Sequence, residues 1–141
     1  MAQKKFKKIL IIVANFYDEI SSNLKNGAQE YLENKKYKYE IKSVPGTLEI
    51  PFLLNNYSGK YDGFIVLSCI IKGETDHYNI VKEIAIKEIY KIAYRNNLAL
   101  GTGIITANNY NQALSRSKKT KENYGGRAAI ACHKLLSIFH E

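Results

Sequence analysis

The chain has 141 residues, 45% of them apolar and 24% charged, and a formal net charge of +8. This length suits a single domain, residues 1–141, that can bury a core without disulfide or metal staples. The balance excludes wholesale disorder, a collagen-like repeat and a disulfide scaffold. Two cysteines, Cys69 and Cys132, allow one bridge at most and suit a reducing compartment. The apolar stretch Ile9–Ala14 is far too short to span a membrane, and no small-residue cleavage site follows it. The expected location is therefore the cytoplasm. Lysine supplies nearly all of the positive charge, since the only arginines are Arg95, Arg116 and Arg127.

In chain order, Lys7–Ala14 leads into Ile9, Leu10, Ile11, Ile12 and Val13. A continuous β-branched run of this kind predicts a strand buried on both faces. Ser21 to Tyr31 predicts a helix with Leu24, Ala28, Tyr31 and Leu32 at helical spacing, capped by Ser21 or Ser22. Tyr37–Val44 alternates as a strand does, and Pro45-Gly46 ends it. Thr47 to Asn55 predicts a short helix capped by Thr47, with Leu48, Pro51 and Phe52 or Leu53 facing inward. Pro51 fits there only within the first turn.

Gly63–Ile71 is a second buried-strand run, broken by Lys72-Gly73-Glu74-Thr75. A long helix from about Asp76 to Tyr94 would then carry Ile80, Val81, Ile84, Ala85, Ile89, Ile92 and Ala93 on one face. Leu98–Thr106 is a further short apolar run and Gln112–Arg116 a brief helical piece. Ser117–Tyr124 is polar and lysine-rich, and a last helix runs from Gly125 or Gly126 to Phe139 with Ala128, Ala129, Ala131, Cys132, Leu135 and Leu136. Strand and helix thus alternate, with an extra helix at the end. Such alternation means parallel strands joined by right-handed crossovers. The fold class is α/β: a three-layer α/β/α sandwich on a four-stranded parallel sheet, flavodoxin-like in topology.

Ligands of such sheets sit at the carboxyl ends of the strands. The loops to inspect are Asn15–Ile20, Val44–Glu49, Ile71–His77 and Thr106–Asn111. In the third, Gly73 lets the backbone approach a ligand, and the N–H groups at the helix start favour an anion. Thr75 could equally be an ordinary helix cap. His77 stands at the mouth of the sheet, where an imidazole can exchange protons near neutral pH. In the second loop, Gly46 opens a tight turn, and Glu49 is either a first-turn acid that steadies the helix or an acceptor for substrate hydroxyls. In the first, Phe16 could stack on a flat ring or cap the core. That loop has no glycine, so flavin phosphate binding of the flavodoxin type is disfavoured. Arg116 could fork onto phosphate or be a solvated arginine. No GxxxxGK[ST] phosphate loop is present, and Cys69, Cys132 and His133 fit no zinc spacing. Cys69 and Cys132 read as core thiols, His133 and His140 as surface residues.

Taken together, VPGTLEIP at Val44–Pro51 and YDGFIVLSCIIKGETDHYNIV at Tyr61–Val81 resemble the lumazine synthases of riboflavin biosynthesis. NFYDEI at Asn15–Ile20, GIITANNYNQALSR at Gly103–Arg116 and Asn123-Tyr124-Gly125 support the resemblance, which runs from about Lys7 to Ser137. It implies a transferase that joins 5-amino-6-(D-ribitylamino)uracil to 3,4-dihydroxy-2-butanone 4-phosphate. The products would be 6,7-dimethyl-8-ribityllumazine, phosphate and water, with no metal or organic cofactor. Carried over by position, Phe16 would stack on the uracil, and Gly46, Thr47, Leu48 and Glu49 would hold the ribityl chain. Cys69, Ile70 and Ile71 would meet the pyrimidine edge with main-chain groups. Gly73, Glu74 and Thr75 would offer N–H groups to the phosphate. Arg116 of a neighbouring copy would clamp that phosphate, and His77 would transfer protons. The resemblance also implies a homo-oligomer, a pentamer or a multiple of one, with riboflavin synthase as a further candidate partner. The chain departs from the family pattern at Thr102, where an aromatic from the adjacent subunit often covers the uracil, and at Leu48, Ser68, Glu74 and Tyr124.

Two other readings differ in class. One is a basic nucleic-acid-binding α/β domain using Lys4–Lys8, Lys35–Lys38 and Lys118–Lys121 with stacking tyrosines. No recognition motif supports it, and lysine runs are usually solvated faces, so the expectation is no nucleic acid and no membrane. The other is a catalytically weakened, shell-forming homologue.

Overall fold

The computed structural model describes residues 7–74 and 77–141. Its elements are β1 (Lys8–Ala14), α1 (Asp18–Asn34), β2 (Lys38–Val44), a 3-10 turn (Thr47–Glu49), α2 (Ile50–Tyr57), β3 (Gly63–Ile71), α3 (Tyr78–Asn96), β4 (Ala99–Ala107), α4 (Tyr110–Ser117) and α5 (Tyr124–Phe139). The four strands pair in parallel in the order β2-β1-β3-β4. The α/β sandwich read from the alternation is therefore what forms.

The order explains the composition of the strands. β1 and β3 are central, so both of their faces are covered, and Ile9 to Val13 and Phe64 to Leu67 have no exposed surface. Alternate residues of β1 serve opposite layers. Ile9, Ile11 and Val13 pack with Leu24, Ala28, Ala129 and Leu136 of α1 and α5. Leu10, Ile12 and Ala14 pack with Ile50, Leu54, Ile89 and Ile92 of α2 and α3. Each fully buried Val, Leu or Ile among them contributes roughly 1.5–3 kcal/mol. β2 lies at an edge, and its Ile41 is correspondingly exposed.

Several boundaries and faces differ from expectation, each for a local reason. Helix α1 starts at Asp18, with Tyr17 in the capping position and Asp18 and Glu19 in the first turn, where acids suit the helix dipole. Neither Ser21 nor Ser22 caps it, because Ser21 is buried and its Oγ donates to the Ala14 carbonyl at 2.9 Å. Thr47 does not cap α2 either. The segment splits into a 3-10 turn and a helix with Pro51 in its first turn, and the buried side chains are Ile50 and Leu54. Leu53 is half-buried against them, whereas Leu48 and Phe52 are exposed. On α3 the buried set is Ala85, Ile89, Ile92 and Ala93, and Ile80 and Ile84 face outward. The predicted apolar stripe is wider than the strip of sheet that this helix covers.

Asp76, the expected start of that helix, and Thr75, its expected cap, lie outside the described residues. Helix α4 is longer than predicted because Asn109 caps it, accepting from Gln112 N at 2.8 Å. Asn123 does the same for α5, accepting from Gly126 N at 3.1 Å, so this helix begins at Tyr124. Ala131 of α5 is exposed rather than inward. Ser117, expected in a polar stretch, is buried, and its Oγ donates to Leu114 O and accepts from Asn23. His133 is half-buried, with Nδ1 2.6 Å from the Tyr37 hydroxyl, while His140 is exposed beside Lys7. Both cysteines are free: Cys132 is buried and Cys69 only half-buried.

Gly101 matters most for how the layers meet. A β-carbon there would lie 1.8 Å from the Ala128 carbonyl oxygen, so α5 rests backbone against backbone on β4.

Candidate active site

The carboxyl edge of the sheet gathers most of the predicted residues. β1 ends at Ala14, and Phe16 just beyond it is 73% exposed, a free aromatic face at the rim. It is not a core cap. Tyr17 packs edge-on against Phe16, with ring centroids 4.9 Å apart, and lies 6.3 Å from the ring of Tyr110. The Tyr17 hydroxyl donates to Glu74 Oε2 at 2.8 Å. One aromatic thus ties the loop after β1 to the loop after β3.

After β2, Gly46 precedes the 3-10 turn, and Glu49 N donates to Gly46 O at 3.3 Å. Thr47 is buried, and its hydroxyl meets that of Ser68 on β3 at 2.7 Å. A serine within an otherwise apolar buried strand needs such a partner, and this is the signal by which Ser68 could have been paired in advance. The bond pins the second loop to the strand that carries Cys69, Ile70 and Ile71. Leu48 projects outward from the same turn, and Glu49 is half-buried.

The loop after β3 is anchored by Lys72 N donating to Ala107 O at 2.8 Å, next to the end of β4. Gly73 has φ +89, a left-handed conformation that suits glycine and opens the loop. Glu74 N makes a long bond of 3.3 Å to Ile71 O, weak enough for an anion to compete with. His77 occupies the capping position of α3 and is exposed; Val81 N donates to its carbonyl at 2.8 Å. Burial, aided by the charge of Glu74, pushes the Cys69 thiol up to about 12, so it stays neutral and is no nucleophile. Burial first, and then the Glu74 carboxylate, raise the Tyr17 hydroxyl well above its ordinary value, so it remains a donor.

Thr102 and Arg116 belong to the edge strand β4 and to the helix that follows it. Thr102 lies mid-strand on β4 opposite Val66, its hydroxyl 2.7 Å from that of Tyr90 on α3. Arg116 is on α4, and its Nη1 donates to Thr106 O at 2.8 Å with Glu122 4.0 Å from Nε. Tyr17 and Tyr110 are the rim residues that the sequence reading passed over. Their only advance signal was position, directly after a strand and at the start of a helix.

Among the described residues no His, Cys, Asp and Glu group could hold a metal ion. None of the helices they form is long and apolar enough to cross a membrane.

A family model described as 6,7-dimethyl-8-ribityllumazine synthase matches residues 7–140. The chain is 37% identical over 143 residues to the protein of that name from Paramagnetospirillum magneticum, covering 95% of each. It is 39% identical to its Bartonella henselae namesake, over 92% of this chain and 86% of the other. A Rhizobium meliloti protein named 6,7-dimethyl-8-ribityllumazine synthase 1 is 36% identical over 98% of this chain and 95% of its own length.

Proposed function

The chain belongs to the 6,7-dimethyl-8-ribityllumazine synthase family, transferases of riboflavin biosynthesis, and from that premise we propose which residues carry the reaction and that a second copy completes the site. The observation that carries the assignment is the joined rim: exposed Phe16 against Tyr17, and Tyr17 bonded to the loop of Gly73 and Glu74. A flat ring and an anion can bind side by side there.

The uracil of 5-amino-6-(D-ribitylamino)uracil lies on Phe16, and main-chain groups of Cys69, Ile70 and Ile71 meet its polar edge. Its ribityl chain runs along Gly46, Thr47, Leu48 and Glu49. The phosphate of 3,4-dihydroxy-2-butanone 4-phosphate sits at Gly73, Glu74 and Thr75. The 5-amino group attacks the ketone and loses water to give an imine. Phosphate leaves, and the ribitylamino nitrogen closes the second ring with loss of water. Several protons move, and His77 carries them. The substrates are reactive by themselves, so positioning supplies much of the acceleration.

With both substrates, lumazine fluorescence should therefore rise, and His77→Ala should lower kcat by about 10²-fold or less, the low end for general acid–base catalysis. A chain that forms no lumazine sinks the functional reading, and an unimpaired His77→Ala variant sinks the role of the histidine.

Arg116 and Thr102 lie on the edge strand and its helix, which suits presentation to a neighbouring copy. Phe52, Ile80 and Ile84 are 76%, 54% and 50% exposed. Phe52 and Ile84, with Leu48 and Pro51, line the α2–α3 groove beside Asn55, Glu88 and Arg95, an apolar patch with a polar rim of the kind that marks a protein interface. We assign that surface to contacts between copies of this chain, a pentamer or a multiple of one in the cytoplasm. Light scattering should give an integral multiple of five chain masses. A fully active monomer would overturn the shared site.

A further inference from the structure

Glu74 poses a problem for the site just proposed: a carboxylate on the loop that receives a phosphate. Its side chain is exposed and next to Gly73, and unrestrained it would sweep the space an incoming anion must enter. Two anions brought together there would repel. The carboxylate is not unrestrained, however, because the Tyr17 hydroxyl donates to its Oε2 at 2.8 Å.

Tyr17 is itself held. Its ring packs edge-on against Phe16 at 4.9 Å and against Tyr110 at 6.3 Å, and its main chain caps α1. Tyr110 in turn donates to Glu19 at 3.3 Å. The Tyr17 phenol is the hydrogen-bond donor to the Glu74 carboxylate, and the Cys69 thiol and Tyr110 hydroxyl lie near enough to feel its charge.

The geometry points to Tyr17 as a positioning residue for the phosphate-bearing substrate, holding the Glu74 carboxylate against the loop after β1 and clear of the anion. This rests on the proposed reading of the site and adds to it a residue that touches neither substrate through its hydroxyl. The two contacts of Tyr17 are separable: its ring leans on Phe16 beneath the uracil, while its oxygen alone steadies the phosphate loop. No covalent step is involved.

Tyr17→Phe keeps the ring contacts and removes only the hydroxyl. Initial rates with each substrate varied separately test it, with inorganic phosphate as a competing anion. The butanone phosphate KM and the phosphate inhibition constant should each rise about fivefold or more, as befits a lost bond to a charged group. The KM for the uracil and kcat should stay within about twofold. In a Glu74→Gln background, where no charge needs to be held aside, Tyr17→Phe should change the same constants by about twofold at most. Equal increases in both backgrounds, equal increases for both substrates, or no increase would each overturn the proposal. These outcomes are read against an active parent chain, and inactivity of that parent would instead overturn the functional reading on which the proposal stands.

Discussion

Replacing Arg116 by alanine is expected to reduce kcat/KM for the butanone phosphate by about 10²- to 10³-fold, more than any other single site change proposed here. The guanidinium offers a rigid fork of donors that suits a phosphate, and the phosphate is also the leaving group. The loss should therefore fall on both the KM for this substrate and kcat, while the KM for the uracil stays nearly constant. Within its own chain the side chain is already oriented, with Nη1 on the Thr106 carbonyl and Nε near Glu122. That bond uses part of the fork and leaves other N–H groups to a ligand. Arg116→Lys keeps the charge and loses the planar fork, so it should recover only part of the activity. Steady-state kinetics with both substrates varied will decide. If Arg116→Ala leaves the butanone phosphate KM and kcat unchanged, the assignment is wrong.

The second large effect is structural. Gly101→Ala should destabilise the fold by at least about 3 kcal/mol, the upper part of the range for overpacking. The new methyl group would stand 1.8 Å from the Ala128 carbonyl oxygen and 2.7 Å from its carbon. Those are backbone atoms, so no rotamer change relieves the collision, and α5 must lift from β4. α5 also buries Ala128, Ala129, Cys132 and Leu136, so lifting it uncovers its share of the layer it forms with α1. In urea, at fixed protein concentration, the midpoint should fall by about 1 M or more. Gly59→Ala is the control, because nothing lies within 4 Å of a β-carbon there. It should change stability by no more than about 0.5 kcal/mol. Equal midpoints for the two variants would show that β4 and α5 can separate at little cost.

The local differences between expectation and structure share one cause. Ser21 has the residue type of a helix cap, yet its hydroxyl goes to Ala14, because α1 turns back over the end of β1. Thr47 is likewise a cap by type and becomes half of a buried hydroxyl pair with Ser68. Ile80 and Ile84 have core spacing on α3 but stay exposed, because the helix turns Ala85, Ile89, Ile92 and Ala93 to the core instead. In each case packing against another element overrides the local pattern, and the two hydroxyls expected as caps bond instead to Ala14 and Ser68.

The sequence by itself determined the alternation of strand and helix, the two central strands and the loops that gather at the carboxyl ends of the strands. Apolar runs and turn residues act over a few neighbours, and parallel strands leave little freedom in where their carboxyl ends point. The motifs at Val44–Pro51 and Tyr61–Val81 also carried the family. Tertiary structure alone decided that Tyr17 holds Glu74, that Ser68 meets Thr47, that α5 touches β4 through Gly101, and that Arg116 turns onto the Thr106 carbonyl. These are contacts across the sheet's rim and between its layers. Their distances depend on how the crossovers twist the strands together, which no local pattern of residues encodes.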